Sequence, residues 1–165
     1  MTQIFISYRR QDSAAWSGRL FDTLTSRYGV DNVFLDIATL SSGRRFAEQV
    51  EAALANSDVV LIVIGPQWLE ATYRSNGRRR IDDPEDLVRR EIQSALSIGK
   101  RIVPVLVGYA EMPSANSLPT EIEGLTHLNA CRLSDSSWNE DIERLTGTLD
   151  QQAPSLLQRL FGRRS

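Results

Sequence analysis

Five short apolar runs punctuate the chain: IFISY at 4–8, VFLD at 33–36, VVLIVIG at 59–65, RIVPVLV at 101–107 and LNACRL at 128–133. They are apolar nearly throughout rather than alternating, which is the pattern of strands covered on both faces. Between them, apolar residues recur at helical spacing. Leu20, Phe21, Leu24 and Tyr28 share one face, and Phe46, Val50, Ala53 and Leu54 another. A third helical pattern occupies 81–100, and a fourth begins at Ser137, where Ser137 and Glu140 have capping-box spacing. Strands alternating with helices predict an α/β domain, a flavodoxin-like doubly wound five-stranded parallel sheet flanked by helices. Pro104 is discordant inside a strand, so an irregular strand is expected there. The stretch 109–126, with Pro113, Pro119 and Gly124, is too broken for a regular long helix.

The third helical pattern, IDDPEDLVRREIQSALSIGK, raises a chemical question. Asp83 as N-cap, Pro84 at the first helical position and Gly99 as a left-handed terminator predict its ends. Val88, Ile92, Ala95 and Leu96 form the apolar stripe, with Asp86, Arg89, Arg90, Gln93 and Ser97 opposite. Glu91 falls inside the apolar arc. On this helix alone it reads as a flank carboxylate whose head reaches water.

Composition narrows the classes. The chain has 165 residues, 41% hydrophobic and 24% charged, with a net charge of −2, which suits one soluble domain and argues against a dedicated nucleic-acid binder. A single cysteine, Cys131, excludes a disulfide framework within the chain. No start resembling a signal peptide and no apolar run of transmembrane length is present, so a reducing cytoplasm is the expected location. With one histidine, His127, and no Cys/His cluster at zinc spacing, neither a metal site nor a two-histidine mechanism is expected.

In such folds ligands bind beyond the C-terminal ends of the strands. The first strand runs into Tyr8, Arg9 and Arg10; the second ends at Asp36 and opens the loop Ile37, Ala38, Thr39, Leu40, Ser41, Ser42, Gly43, Arg44 and Arg45; the third is followed by Trp68. Tyr73 and the triplet Arg78 to Arg80 sit in the loop that follows. For Arg9 and Arg10, phosphate binding and carboxylate pairing are both open; for Arg78 to Arg80, a solvated or paired surface role is favoured. Trp68 and Tyr73 read first as lid packing. No GxxxxGK[ST] loop is present and no GxGxxG follows the first strand, which removes P-loop nucleotidases and Rossmann dehydrogenases. A phospho-acceptor receiver would need an aspartate where Ile64 and Gly65 stand.

The blocks IFISYRRQDS, NVFLDIATLSSGRRF, SDVVLIVIGPQWL, GRRRIDDPEDLVRREIQSALSIGKRIVPVLV and LPTEIEGL with LNACRL occur in order, and together they resemble a bacterial Toll/interleukin-1 receptor (TIR) domain over residues 1–150. The resemblance implies self-association through the 37–45 loop and one of two activities: a scaffold, or cleavage of NAD+ at the nicotinamide–ribose bond. It places Glu91 at the family's catalytic glutamate. It also implies that Arg9 and Arg10 hold phosphates or order the site, that Asp36 shapes its rim, and that NAD+ is the substrate with no separate cofactor. Leu87 stands where some NAD+-cleaving relatives carry an aromatic residue. Phe46 is the first candidate to replace that stack and Trp68 the second, with core packing of Phe46 equally open. Physics is compatible with the enzymatic reading. Nicotinamide leaves from a pyridinium and departs neutral, so one carboxylate can stabilise the oxocarbenium-like charge without a partner acid.

The expected function is thus an NAD+ glycohydrolase giving nicotinamide and ADP-ribose or a cyclic isomer, activated by self-association, in bacterial anti-phage defence or signalling. The alternatives are a non-catalytic interaction module and, on a related fold, a nucleoside 2-deoxyribosyltransferase. The tail 151–165, with Pro154, Leu156, Leu157, Leu160 and Phe161 among arginines, is expected to be a linker toward other domains of a longer chain, a surface-docking segment or a short packed helix.

Overall fold

The structure is a computed structural model that describes residues 2–36 and 44–151, with residues 44–46 described by backbone alone. The segment 37–43, the side chains of Arg44 and Phe46, and the tail from 152 onward lie outside the described residues. Expectations that fall on them are therefore not addressed by the geometry below.

The apolar runs form β1 (Ile4–Ser7), β2 (Val33–Leu35), β3 (Val59–Ile64), β4 (Arg101–Leu106) and β5 (Cys131–Arg132). The helical patterns form α1 (Arg10–Tyr28), α2 (Arg44–Asn56), α3 (Leu87–Ser97) and α4 (Trp138–Asp150). All pairings are parallel and the strand order is β2-β1-β3-β4-β5, the flavodoxin-like arrangement in which the winding reverses between β1 and β3.

Strand alternation explains why the runs are apolar throughout. Val59, Leu61 and Val63 pack toward α1 and α4 with Leu20, Leu24, Leu145 and Leu149, while Val60, Ile62 and Ile64 pack toward α2 and α3 with Val50, Leu54, Val88 and Ile92. All six β3 residues are buried. Entering β4, two successive cations bind helix ends belonging to the two layers. Lys100 Nζ donates to Ala55 O and Ser57 O at 2.6 and 2.7 Å, at the end of α2. Arg101 donates to the carbonyls of Thr148, Leu149 and Gln151 at the end of α4. Both satisfy carbonyls that a helix leaves unpaired and place positive charge at the negative end of its dipole.

Several local expectations are corrected. α3 starts at Leu87 with Asp86 as its cap, not at Pro84 with Asp83, because Asp86 has both a helix N–H and an arginine to engage. Asp83 instead accepts from Glu85 N at 2.9 Å in a local turn. Pro104 causes no irregularity: it stays in register with Ile62, and β5 pairs β4 only at Val105 and Leu106, leaving the proline on an uncovered stretch of strand edge. The capping box at Ser137 does not form, since its hydroxyl donates to Asp141 at 2.8 Å and Asp141 accepts from Ser134 N at 2.9 Å. Gly99 does adopt the left-handed conformation, with φ 70°. No helix among the described residues is long and apolar enough to cross a membrane.

The exit of β3 is fixed by a close approach. Asp12 on α1 accepts from Gly65 N at 2.8 Å and Gln67 N at 2.7 Å. A Cβ on Gly65 would lie 2.5 Å from Asp12 Oδ1, so alanine there must displace the carboxylate from both donors. We expect Gly65→Ala and Asp12→Ala each to cost about 1–2 kcal/mol. Because both remove the same contact, the double variant should cost little more than either single one. Thermal or urea unfolding checks this, and fully additive losses would refute the shared contact.

Candidate functional site

A cavity of about 470 Å³ opens at the C-terminal edge beside β1. The exit of β1 supplies Tyr8, Arg9, Arg10 and Gln11, the exit of β2 supplies Asp36, the loop after β3 supplies Tyr73 and Arg80, and the start of α3 supplies Glu85, Asp86, Leu87 and Val88. Of the expected site residues, Tyr8, Arg9, Arg10 and Asp36 are thus brought together.

Of the two roles open to it, phosphate binding and carboxylate pairing, Arg9 shows the pairing. Its Nη1 and Nη2 donate to Asp86 Oδ1 and Oδ2 at 2.8 and 2.9 Å, with both side chains only 4% exposed. Asp86 Oδ2 also accepts from Arg89 N at 3.1 Å, so one carboxylate caps α3 and neutralises Arg9. Arg10 remains exposed at the cavity wall.

Glu91 does not reach water, as a flank residue would. It is 5% exposed, and neither carboxyl oxygen has a hydrogen bond of ordinary geometry. Burial pushes its pKa well above the usual carboxylate value; close interaction with Asp36 and the charge of Asp36 add to this, while Ser7 acts in the opposite direction. Glu91 itself does not line the cavity, whereas its neighbour Asp36 does. Two buried acids therefore stand together, Asp36, 4% exposed, lining the cavity and Glu91 beside it. Tyr8 sits near this pair, and its hydroxyl pKa is raised by burial and by the charge of Asp36, with Arg10 opposing.

Trp68 is not brought to the cavity. Its indole is 1% exposed in the α2/α3 core, with Arg9 Cζ 5.9 Å from the ring centroid, and it lines a separate cavity of about 410 Å³ between the β3 and β4 exits. Its bulk fills the core, so the stacking role considered for it has no support in this arrangement. Leu87, 40% exposed, lines the cavity at the position where an aromatic was considered absent.

Arg80 and Tyr73 carry more of the cavity than the sequence suggested. Tyr73 Oη donates to Asp83 at 2.8 Å, and burial together with that carboxylate pushes its pKa up to about 12. Arg80 Cζ stands 4.6 Å from the Tyr73 ring centroid. The signal that could have found this pair is Asn76-Gly77, a hairpin dipeptide that folds the loop so that Tyr73 and Arg80 meet. Arg79, by contrast, points to Asp82 and Glu70.

Residues 4–146 match the family described as TIR domain. This chain belongs to the TIR domain family. Over 126 residues it is 26% identical to the NAD(+) hydrolase sarm1 of Drosophila melanogaster, a match covering 76% of this chain and 9% of that protein. The TIR chain of the activated Roq1 resistosome recognising the effector XopQ superposes with a TM-score of 0.63 at 14% identity, covering 90% of this chain and 99% of that one. A metazoan TIR-STING receptor from C. gigas, solved with 2′,3′-cGAMP, gives 0.51 at 20% identity over 85% and 38% of the two chains. These structures share the fold of this TIR domain.

The buried acid pair makes a prediction about stability. Below its ordinary value of 4.5 Glu91 is protonated in both folded and unfolded chains; above it the unfolded chain releases the proton while the folded TIR domain retains it. Stability conferred by the neutral acid is therefore lost as pH rises from 4.5 through the raised folded-state pKa. Glu91→Gln mimics the protonated acid and cannot ionise. Its melting temperature should gain on the parent as pH rises from 4.5 toward neutrality. The stability difference should grow by up to about 1.4 kcal/mol per pH unit. A difference that stays constant over that range would refute a raised Glu91 pKa.

Proposed function

We propose that this TIR domain hydrolyses NAD+ at the nicotinamide–ribose bond, giving nicotinamide and ADP-ribose or a cyclic isomer. The observation that carries the reading is the charge layout of the cavity: Asp36 lines it with the buried Glu91 beside that carboxylate, Arg9 neutralises Asp86, and Arg10 and Arg80 stand on its wall with the exposed Glu85. NAD+ has the complementary layout, a cationic pyridinium at one end and an anionic diphosphate in the middle. The similarity to an NAD(+) hydrolase over most of this chain supports the same reading.

In the proposed reaction the C1′–N bond of the ribose breaks and its electron pair returns to the pyridine nitrogen, so nicotinamide leaves neutral. Positive charge develops on the ribose, and a carboxylate beside it stabilises that charge more in the transition state than in the ground state. Water for ADP-ribose, or a hydroxyl of the same molecule for a cyclic isomer, then bonds to C1′ and passes its proton to the carboxylate. Glu91 is assigned this role. The assignment requires Asp36 to turn toward the substrate and uncover Glu91. The arriving pyridinium also favours the ionised form of Glu91, since a nearby positive charge lowers a carboxyl pKa. Self-association through the 37–45 loop is part of the proposal and rests on the family resemblance, as does a role in defence or signalling.

Incubation of the purified chain with NAD+, followed by chromatography of the products, tests the reading. Glu91→Gln should lower the rate by at least about 10²-fold, the scale of losing one electrostatic stabiliser of a transition state. Glu143→Gln, on the outer surface of α4, is the matched control and should leave the rate unchanged. Specific activity should also climb with chain concentration. If Glu91→Gln cleaves NAD+ as fast as the folded parent, the catalytic assignment fails and a non-catalytic interaction module becomes the better reading.

A further inference from the structure

We propose that Arg80, held on the face of Tyr73, is the diphosphate-binding residue of the cavity, a subsite for the anionic middle of a dinucleotide. The proposal rests on the NAD+ reading for the identity of its ligand, but its geometry stands on its own.

The cavity's arginines differ in what already engages them. Arg9 is consumed by Asp86 through two charge-assisted hydrogen bonds. Arg79, outside the cavity, is bidentate to Asp82 and also donates to the Ser117 carbonyl. Arg89 donates to the Ile81 and Asp82 carbonyls and pairs with Glu121. Arg80 has no ion pair or side-chain hydrogen bond among the described residues, and its Nε is buried without a partner. Its side-chain contact is the Tyr73 ring, 4.6 Å from Cζ.

That contact is built rather than incidental. Thr72 and Arg79 form an antiparallel bridge, Tyr73 N donates to Arg78 O at 3.0 Å and Arg80 N to Ala71 O at 2.8 Å. Gly77, at φ 69°, makes the turn that closes this hairpin. The ring is fixed at its far end by the hydroxyl bond to Asp83. A guanidinium seated on an aromatic face keeps its in-plane N–H groups directed outward, the fork that matches two phosphate oxygens. Glu85 is the carboxylate on this side of the cavity; it is 82% exposed and lies 3.8 Å from Arg90. Asp86 is already neutralised by Arg9. Asp83 is engaged by the Tyr73 hydroxyl, so an anion entering here meets an arginine with no ion pair or side-chain hydrogen bond among the described residues, and the substrate would supply that partner.

Calorimetric titration of the whole chain with ADP and with adenosine tests this, alongside an NAD+ cleavage assay. The parent should bind ADP at least about tenfold more tightly than adenosine, the scale of one charge-assisted bidentate contact. Arg80→Gln should lose about tenfold for ADP and stay within about twofold for adenosine, because only the charged fork is removed. Arg80→Lys keeps the charge without the fork and should fall about threefold or more for ADP, which keeps the test valid if the glutamine variant misfolds. If both folded variants bind ADP as the parent does, the Arg80 subsite is overturned. Lack of ADP preference in a parent that still cleaves NAD+ also overturns it, and leaves the hydrolase reading intact. ADP binding lost in the variants, in a parent that does not cleave NAD+, upholds the subsite and removes the hydrolase reading instead.

Discussion

The Arg9–Asp86 ion pair is the interaction on which the site geometry depends. It joins the exit of β1 to the first turn of α3, two elements 77 residues apart in sequence, in surroundings where both side chains are only 4% exposed. Removing one partner of such a pair costs about 3–5 kcal/mol, because the other charge is left buried and unmatched. The same aspartate caps α3 through Arg89 N. The rotation of α3 about its axis is thereby fixed relative to the sheet, and with it the direction in which Glu91 leaves the helix. Of the two roles open to Arg9 in the sequence, carboxylate pairing is the one the structure shows, and through it Arg9 orders the elements around the cavity.

The consequence for Glu91 is chemical as well as geometric. A carboxyl whose pKa is raised by burial and by a second acid is less readily ionised, so for the proposed reaction the arrangement seen here would have to change. Changing it requires either moving Asp36 or bringing a cation to the pair. On the proposed reading a pyridinium beside the pair would favour the ionised form of Glu91, since a nearby positive charge lowers a carboxyl pKa. On that reading the site would discriminate by charge: a neutral nucleoside would leave Glu91 as it is, whereas a cationic glycoside would favour its ionisation.

The sheet was legible from the sequence because parallel strands buried on both faces leave uninterrupted apolar runs, as in the fully buried VVLIVI of β3. What escaped was set by long-range partners. Asp83-Pro84 is a plausible helix start by local rules, yet Asp86 takes the cap because Arg9 holds it in place. Arg89 belongs by periodicity to the polar side of α3, but it is 8% exposed because the 3-10 segment Thr120–His127 packs on that helix and Glu121 receives its charge. The site was half legible: Tyr8, Arg9, Arg10 and Asp36 follow from strand exits, whereas Arg80 depends on a hairpin that only its Asn76-Gly77 turn announces.

The fold by itself does not choose between scaffold and enzyme. Chains only 14% and 20% identical share the TIR architecture with this one, and what is common among them at that distance is the backbone. The choice lies in a few side chains. An interaction module has no need of a carboxyl buried on α3 beside a second acid, a costly arrangement that burial alone disfavours. Nor does it need a cavity that carries, with that second acid, an arginine on an aromatic ring with no ion pair among the described residues. On the proposed reading each would be offset by one ligand that brings a cation to the acids and an anion to the arginine. That a single zwitterionic ligand would answer both features is the physical argument behind the proposed dinucleotide site.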